Sequence, residues 1–214
     1  MDRKTITFIT ATVALSLLYL TLLIGLTIDN SRPYFLPYIP LLYLISGITL
    51  LYFHKGWSPT FILYILITFL GCFIVQLANV KTNFIYGQMT YGATLGPKIL
   101  GVPIVATFNR FILLYCVGLL VKRLKIKYAV FSSLLGALIL VFFNLLAEPV
   151  ATSLKIRAWA SQMSPLQDYG GRFIAAFVFL YLFNMMDFPK KNKMYLPVFI
   201  MEVLFFIYLN IVVI

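Results

Sequence analysis

The 214-residue chain is too apolar for a soluble protein. Hydrophobic residues make up 62% of it and charged residues only 11%, whereas a soluble domain carries about 25% charged residues. Lys and Arg number 17 against 6 Asp and Glu, for a net charge of +11. In a membrane protein an excess of basic residues indicates which side faces the cytoplasm. It therefore does not require a nucleic-acid partner, and we expect none.

Seven apolar stretches predict an all-α integral membrane protein, a bundle of about seven transmembrane helices. Each is close to the ~20 residues that cross a bilayer, and open sheets cannot span lipid. We expect a single transmembrane helical domain over residues 1–214. The stretches occupy residues 6–28, 34–53, 60–80, 102–121, 128–147, 164–186 and 195–214.

The basic residues other than Arg110 divide unevenly between the two ends of the spans if successive loops alternate between the two sides. Ten lie on the side of the N-terminus and six on the other, and cytoplasmic loops carry the excess. We therefore predict a cytoplasmic N-terminus and an external C-terminus, and we expect the protein to lie in a bacterial inner membrane. The dense basic runs at residues 122–127 and 189–193 are typical of topology anchors beside anionic headgroups.

Cysteine and histidine offer little chemistry. Cys72 and Cys116 lie within apolar stretches, which favours packing roles. His54 is the only histidine, so a histidine-based metal site is excluded and we expect no metal.

Polar residues of the four middle helices gather at one end of the predicted bundle. A charged side chain within a bilayer is costly and usually faces the bundle interior, where it has a function or a partner. The alternative is a buried network that only holds the helices together. We favour a site, with Glu148 as the partner that the deep cation Arg110 requires. Its candidate residues are Gln76, Asn79, Asn109, Arg110, Asn144, Glu148, Asp168 and Arg172.

Two connecting segments lie at this same end. Residues 81–101 carry four glycines and are too long and apolar for a simple turn, so we expect them to dip back over the bundle. Residues 150–163 follow Pro149, which disfavours further helix, and their mixed pattern predicts a segment lying in the interface with Trp159 at headgroup level. The aromatic residues proposed to line the site are Tyr86, Tyr91, Trp159 and Tyr169.

The helix ends give two further expectations. Ser164, Pro165 and Gln167 match an N-cap, a first-turn proline and a capping box. Asp168 and Arg172 are four residues apart, in the order that favours attraction. Glu202 is alone in the last stretch, and we interpret it as a structural polar residue that faces the bundle.

Several short motifs resemble one known family over about residues 70–180. The chain is similar to the membrane carotenoid biosynthesis proteins that include the γ-carotene and bisanhydrobacterioruberin 1,2-hydratases. It differs from the family pattern at Arg110, where an aromatic is usual, at Asp168, where Asn is usual, and near Gln76, where a carboxylate is expected. The matching pieces are Asn79-Val80-x-Thr82, Tyr91-Gly92, Leu95-Gly96-Pro97-Lys98, Gly101-Val102-Pro103, Asn109, Glu148-Pro149-Val150-Ala151, Trp159 and Pro165-Leu166-Gln167-Asp168-Tyr169.

The resemblance implies hydration of the terminal C1′=C2′ double bond of an acyclic carotenoid, with no cofactor. The substrate is then a carotenoid or other long isoprenoid lipid that arrives from the surrounding membrane lipids. We predict Glu148 as the acid, because desolvation keeps its proton available, and Asp168 as an ionised group that orients water or stabilises the cation. The remaining candidates, substrate-binding in this scheme, are Gln76, Asn79, Tyr91, Asn109, Arg110, Asn144, Trp159, Tyr169 and Arg172.

Three other functions remain open. An acid-initiated end-group cyclase uses the same cation with an alkene as its nucleophile. A non-enzymatic lipid or pigment binder would need no acid. Transport predicts a polar path at the membrane midplane, and the cytoplasmic halves of the middle helices offer few polar groups for one.

Overall fold

The structure, a computed structural model, describes residues 2–160 and 165–213. Six of its spans are long and apolar enough to cross a membrane, and the predicted all-α membrane fold is confirmed. A seventh helix, α7, is also 20 residues long but begins with polar residues. The helices are α1 (Arg3–Thr27), α2 (Arg32–Phe35), α3 (Ile39–Tyr52), α4 (Pro59–Thr82), α5 (Ile104–Arg123), α6 (Ala129–Ser153), α7 (Leu166–Met185) and α8 (Tyr195–Val212), with a 3₁₀ turn at Leu36–Tyr38.

Helix α5 is the centre of the bundle and packs against α3, α4, α6, α7 and α8. Its Phe111, Ile112 and Tyr115 are fully buried, as is Cys116. Cys116 and Cys72 are both free and buried, which confirms their packing role. Because α5 is covered on most sides, a polar residue that it carries must face another helix or an internal cavity.

Helix α6 runs six residues further than predicted. It continues through Pro149 to Ser153, so the predicted end at residue 147 is wrong. Helices within membrane bundles tolerate proline, because neighbouring groups compensate for the backbone bond that it removes. The extension places Glu148 inside the helix, with its side chain buried in the bundle.

Four short strands lie across the end of the bundle where α4 and α6 finish and α5 and α7 begin. Strand β1 (Met89–Tyr91) pairs antiparallel with β4 (Arg157–Trp159), and β2 (Lys98–Ile99) pairs with β3 (Val102–Pro103). The predicted dip of residues 81–101 over the bundle is confirmed. In the described part of the predicted interfacial segment at 150–163, residues 150–153 complete α6 and residues 157–159 form strand β4, and its level in the membrane stays a prediction. We call β1, β4 and residues 83–88 the cover.

Two glycines let the cover lie close to its neighbours. A Cβ atom at Gly92 would overlap the backbone carbonyl of Lys155, and one at Gly171 would overlap that of Ile85. The Gly92 amide donates to the Ile156 carbonyl at 2.9 Å. Backbone contact of this kind requires residues without side chains, so the chain is built to close this end of the bundle.

Candidate functional site

The two acidic residues predicted for the site are both buried beneath the cover. Glu148 on α6 is 7% exposed and Asp168 on α7 is fully buried. Glu148 forms an ion pair with Arg157 of β4 and accepts a hydrogen bond from the indole nitrogen of Trp159. The Thr152 hydroxyl also donates to its carboxylate, at 3.3 Å. Glu148 is therefore ion-paired with an arginine from the segment that the sequence predicted to lie in the membrane interface.

Asp168 is held in a comparable way. The Arg172 guanidinium donates to its Oδ1 at 2.6 Å, one turn further along α7. Asn144 of α6 donates to its Oδ2 at 3.1 Å and accepts from Arg157 at 3.2 Å. The attraction predicted within the Asp168–Arg172 pair is confirmed. Asn144 joins the two ion pairs, so the carboxylates predicted to meet belong to one continuous network.

The cover also fixes the arginines. The Arg172 guanidinium lies 4.7 Å from the ring centroid of Tyr86, and one of its nitrogens lies 3.9 Å from the sulfur of Met89. Burial lowers the pKa of Arg157 from its usual value, and repulsion from Arg172 adds to this effect. An arginine still keeps its charge, so both cations need the carboxylates behind them.

A cavity of about 90 Å³ lies beside this network, enough for a few water molecules or the tip of a hydrocarbon chain. Arg157 and Arg172 line it, whereas Glu148 and Asp168 stand behind them, outside its wall. The lining is part polar and part aliphatic or aromatic. The polar lining residues are Gln76, Tyr91, Asn109, Arg110, Asn144, Arg157 and Arg172, and the aliphatic and aromatic ones include Tyr43, Leu95, Leu113, Phe143, Ile156 and Phe206.

Gln76 and Tyr91 connect α4 to the cover at the edge of the cavity. The Tyr91 hydroxyl donates to Oε1 of Gln76 at 2.7 Å, and Gln76 donates to the Thr107 hydroxyl at 3.3 Å. Burial raises the pKa of Tyr91 to about 12, so the phenol keeps its proton at neutral pH. Both residues present fixed polar groups to the cavity, as the sequence predicted for binding residues.

Asn79 supports the cover and does not line the cavity. Its Nδ2 donates to the Gly87 carbonyl at 3.2 Å, and its Oδ1 accepts from the Tyr86 amide at 2.6 Å. Both ends of the amide are thus occupied by backbone. These bonds position Tyr86, the residue against which Arg172 stacks, and substrate binding by Asn79 stays a prediction.

Arg110 lines the cavity, but its predicted partner, Glu148, is ion-paired with Arg157 instead. Arg157 occupies Glu148, and none of the three ion pairs among residues 2–160 and 165–213 includes Arg110. As a residue Arg110 is half-buried, and it lines the cavity together with Asn109. The sequence was right that this deep arginine belongs to the polar end and wrong about its acid.

Glu202 on α8 is the acid that the sequence predicted to be a structural polar residue facing the bundle. It is 1% exposed, and in the part of the chain that the structure describes neither of its carboxyl oxygens has a hydrogen-bond partner. The buried Oδ1 of Asn109 is unpaired as well. The polar side chains of α5 that lie near Glu202 are those of Asn109 and Arg110. A lone acid in an otherwise apolar helix was the signal that pointed to it.

The other predicted residues have mixed outcomes. Trp159 is buried in β4 and donates to Glu148, and its position at headgroup level stays a prediction. Tyr169 is half-buried on α7 and is not among the cavity-lining residues. Ser164 lies outside the described residues. Pro165 stands at the N-cap position, and Gln167 donates to the Phe84 carbonyl of the cover.

One comparison with known proteins gives a match. The chain matches the family described as carotenoid biosynthesis protein over residues 35–214, which includes the whole polar network, the cavity and the cover. Neither the comparison with curated proteins nor the one with solved structures finds a match.

Proposed function

Because the chain belongs to the carotenoid biosynthesis protein family, we propose that it hydrates the terminal C1′=C2′ double bond of an acyclic carotenoid. The observation that carries this proposal is the network that joins two buried carboxylates, from α6 and α7, through Asn144, beside a small cavity lined by both polar and aromatic residues. The polyene enters from the membrane, and only its end reaches the cavity.

The reaction needs an acid, a sheltered cation and one water. A proton adds to C2′ and leaves a tertiary cation at C1′. A water oxygen bonds to C1′ and passes a proton to the carboxylate that the acid has left, so the acid is restored, the product is a tertiary alcohol and one water has been added. No electrons are transferred, and an acid and a base together complete the reaction.

The acid must hold a proton before the substrate arrives. Glu148 and Asp168 each face an arginine at ion-pair distance, an arrangement that favours their ionised forms. Glu202 has no such partner, and an unpaired buried carboxylate is costly enough that the group keeps its proton. We therefore assign the acid role to Glu202 in place of Glu148.

Glu202 stands one side chain behind the cavity wall. Its neighbours Asn109 and Phe206, the latter one turn along α8, both line the cavity. Rotation of the Glu202 side chain past Asn109 delivers its carboxyl group to the free volume. Once the proton has left, the new carboxylate balances the charge of Arg110, so the three arginines of the site face three carboxylates.

The remaining wall suits the cation and the water. The rings of Tyr43, Phe143 and Phe206 offer π faces to a positive carbon. Asn144 presents its amide to the cavity and is held by Asp168 and Arg157, so the predicted orientation of water by Asp168 acts through Asn144. The cover limits access of bulk water, which keeps capture of the cation to one site.

Expression in a host that makes lycopene or γ-carotene tests the proposal. The extracted pigment should gain the mass of one water. Glu202→Gln should abolish that gain while the purified protein still folds and retains carotenoid, and Asp187→Asn, an exposed acid at the other end of the bundle, should leave it intact. Loss of the gain in Glu148→Gln with full activity in Glu202→Gln would return the acid role to Glu148.

The same experiment separates the competing functions. A cyclase converts the end group without changing the mass of the pigment. A binder retains carotenoid unchanged in the parent protein and in both variants. We further propose that the site end faces outward and the basic end faces the cytoplasm, which a cysteine-accessibility scan of residues 84 and 127 would check, since both side chains are exposed.

A further inference from the structure

A second cavity, of about 370 Å³, opens at the end of the bundle opposite the candidate site. Six basic side chains line it, and no acidic residue does. They come from three places in the chain: the segment after α3, the end of α5 and the segment between α7 and α8. The lining residues are Lys55, Leu119, Lys122, Arg123, Lys190, Lys191, Asn192, Lys193 and Tyr195.

The segments that carry these cations are fixed by backbone contacts. Asn192 is buried, donates to the Leu50 carbonyl at 2.7 Å and accepts from the Met194 amide at 2.8 Å. The Lys55 amide donates to the Lys191 carbonyl at 2.9 Å. The cavity is therefore a built feature of the fold, whereas a topology anchor needs only basic residues near the surface.

Two of the cations are also positioned through their side chains. Lys190 donates to the Met186 carbonyl at 2.7 Å, and its nitrogen lies 4.7 Å from the ring centroid of Phe188. The Arg123 guanidinium lies 5.0 Å from the ring centroid of Tyr195. Aromatic contacts of this kind hold a cation in place without neutralising it.

The cavity carries an uncompensated positive charge. None of the three ion pairs found in residues 2–160 and 165–213 includes any of the six cations. Burial lowers the pKa of Lys190, and Lys122 lowers it further, with Asp187 acting weakly in the opposite direction. Cations held this close repel one another, and a bound anion would relieve that repulsion.

We propose that this cavity binds a phosphate group, carried by an anionic membrane lipid. Phosphate offers several acceptor oxygens to converging lysines and arginines, and the volume exceeds that of a single phosphate. The cavity lies where α5 ends and α8 begins. Ends of membrane-spanning helices lie near lipid headgroups, which favours a lipid as the source over a soluble phosphate. This proposal does not depend on the reaction at the other end.

Lipid titration of the full-length protein tests the proposal. Native mass spectrometry in neutral detergent would count bound phosphatidylglycerol, with phosphatidylcholine as the zwitterionic comparison and inorganic diphosphate as the soluble one. We expect one phosphatidylglycerol to be retained. Lys190→Gln with Lys191→Gln should weaken it about tenfold or more, because each basic residue near an anionic headgroup contributes substantially.

A matched variant controls for total charge. Lys125→Gln with Lys127→Gln removes the same charge from the same end, at residues that do not line this cavity, and should leave binding within about twofold. Equal weakening in both variants, or no retained phosphatidylglycerol, would overturn the proposal. Binding of diphosphate without binding of the lipid would overturn the lipid source and keep the phosphate site. Thermal unfolding in lipid-free detergent shows that both variants are folded.

Discussion

Asn144 and Asp168 lie on different transmembrane helices, and the Nδ2 of the first is 3.1 Å from the Oδ2 of the second. The opposite end of the Asn144 amide accepts from Arg157. One neutral side chain thus couples the Glu148–Arg157 pair to the Asp168–Arg172 pair. Because a buried network is costly when it is only partly satisfied, removal of Asn144 should affect both pairs together.

Asn144→Leu keeps the volume of the side chain and removes both hydrogen bonds. We expect a loss of about 1–2 kcal/mol in stability together with loss of the hydrated pigment. Thermal unfolding in detergent and mass spectrometry of the pigment measure the two effects. Asn184→Leu is the control, because Asn184 also joins α7 to α6, through Ser133 at 3.0 Å, but lies at the far end. It should lower stability and leave hydration unchanged.

The Glu148–Arg157 pair should show strong coupling in a double-mutant cycle. Arg157→Gln alone strands a buried carboxylate and Glu148→Gln alone strands a buried guanidinium, each at a cost of about 3–5 kcal/mol. The double variant removes both charges, so its loss should be smaller than the sum of the two single losses. Chemical unfolding of the four proteins gives the coupling energy. Additive losses would show that the pair does not form.

Two adjacent glycines of α7 should respond in opposite ways to alanine. A Cβ atom at Gly171 overlaps the backbone of Ile85 in the cover, whereas one at Gly170 meets nothing within 4 Å. Gly171→Ala should displace the cover, destabilise the protein and reduce hydration. Gly170→Ala should be neutral or stabilising by about 0.5–1 kcal/mol. Proteolytic sensitivity of residues 83–101 reports the cover directly, and equal sensitivity in both variants would argue against the close contact.

His54 should make the protein less stable in mild acid. Its Nδ1 lies 2.5 Å from the Tyr115 hydroxyl, its ring stacks on Phe61, and burial lowers its pKa. The unfolded chain then takes up a proton at His54 more readily than the folded chain does. Stability is therefore full above about pH 6.5 and falls as the pH drops below it.

His54→Phe keeps the stacked ring and removes the titration at that position. Its melting temperature should change less than that of the parent between pH 7 and pH 5. Measurements in one detergent across this range make the comparison, with Trp57→Phe as an aromatic control nearby, 6.0 Å from His54 between ring centroids. Identical pH profiles for the parent and His54→Phe would assign the acid sensitivity to other groups.

The polar end of the bundle shows which parts of the candidate site could be predicted from the sequence. The positions of Gln76, Asn109, Asn144 and Arg172 at one end follow from the spacing of residues within predicted spans, and all four line the cavity. The helix continuation through Pro149 did not follow, since local preference opposes it and the tertiary surroundings allow it. The pairing of Arg157 with Glu148 depended on that continuation and on strand β4.

Hydrophobic stretches and their few charges determined the membrane class and the end at which polar groups collect. These properties follow from the free-energy cost of exposing charge to lipid, which applies to each segment whatever its neighbours in the fold. The spacing of Asp168 and Arg172 already predicted their pair, but only the tertiary structure decided which arginine met Glu148, because Arg110 and Arg157 both lie at that end. The cover brings Arg157 to Glu148, and within the described residues Arg110 and Glu202 form no ion pair. For this reason we propose a role for both in the reaction.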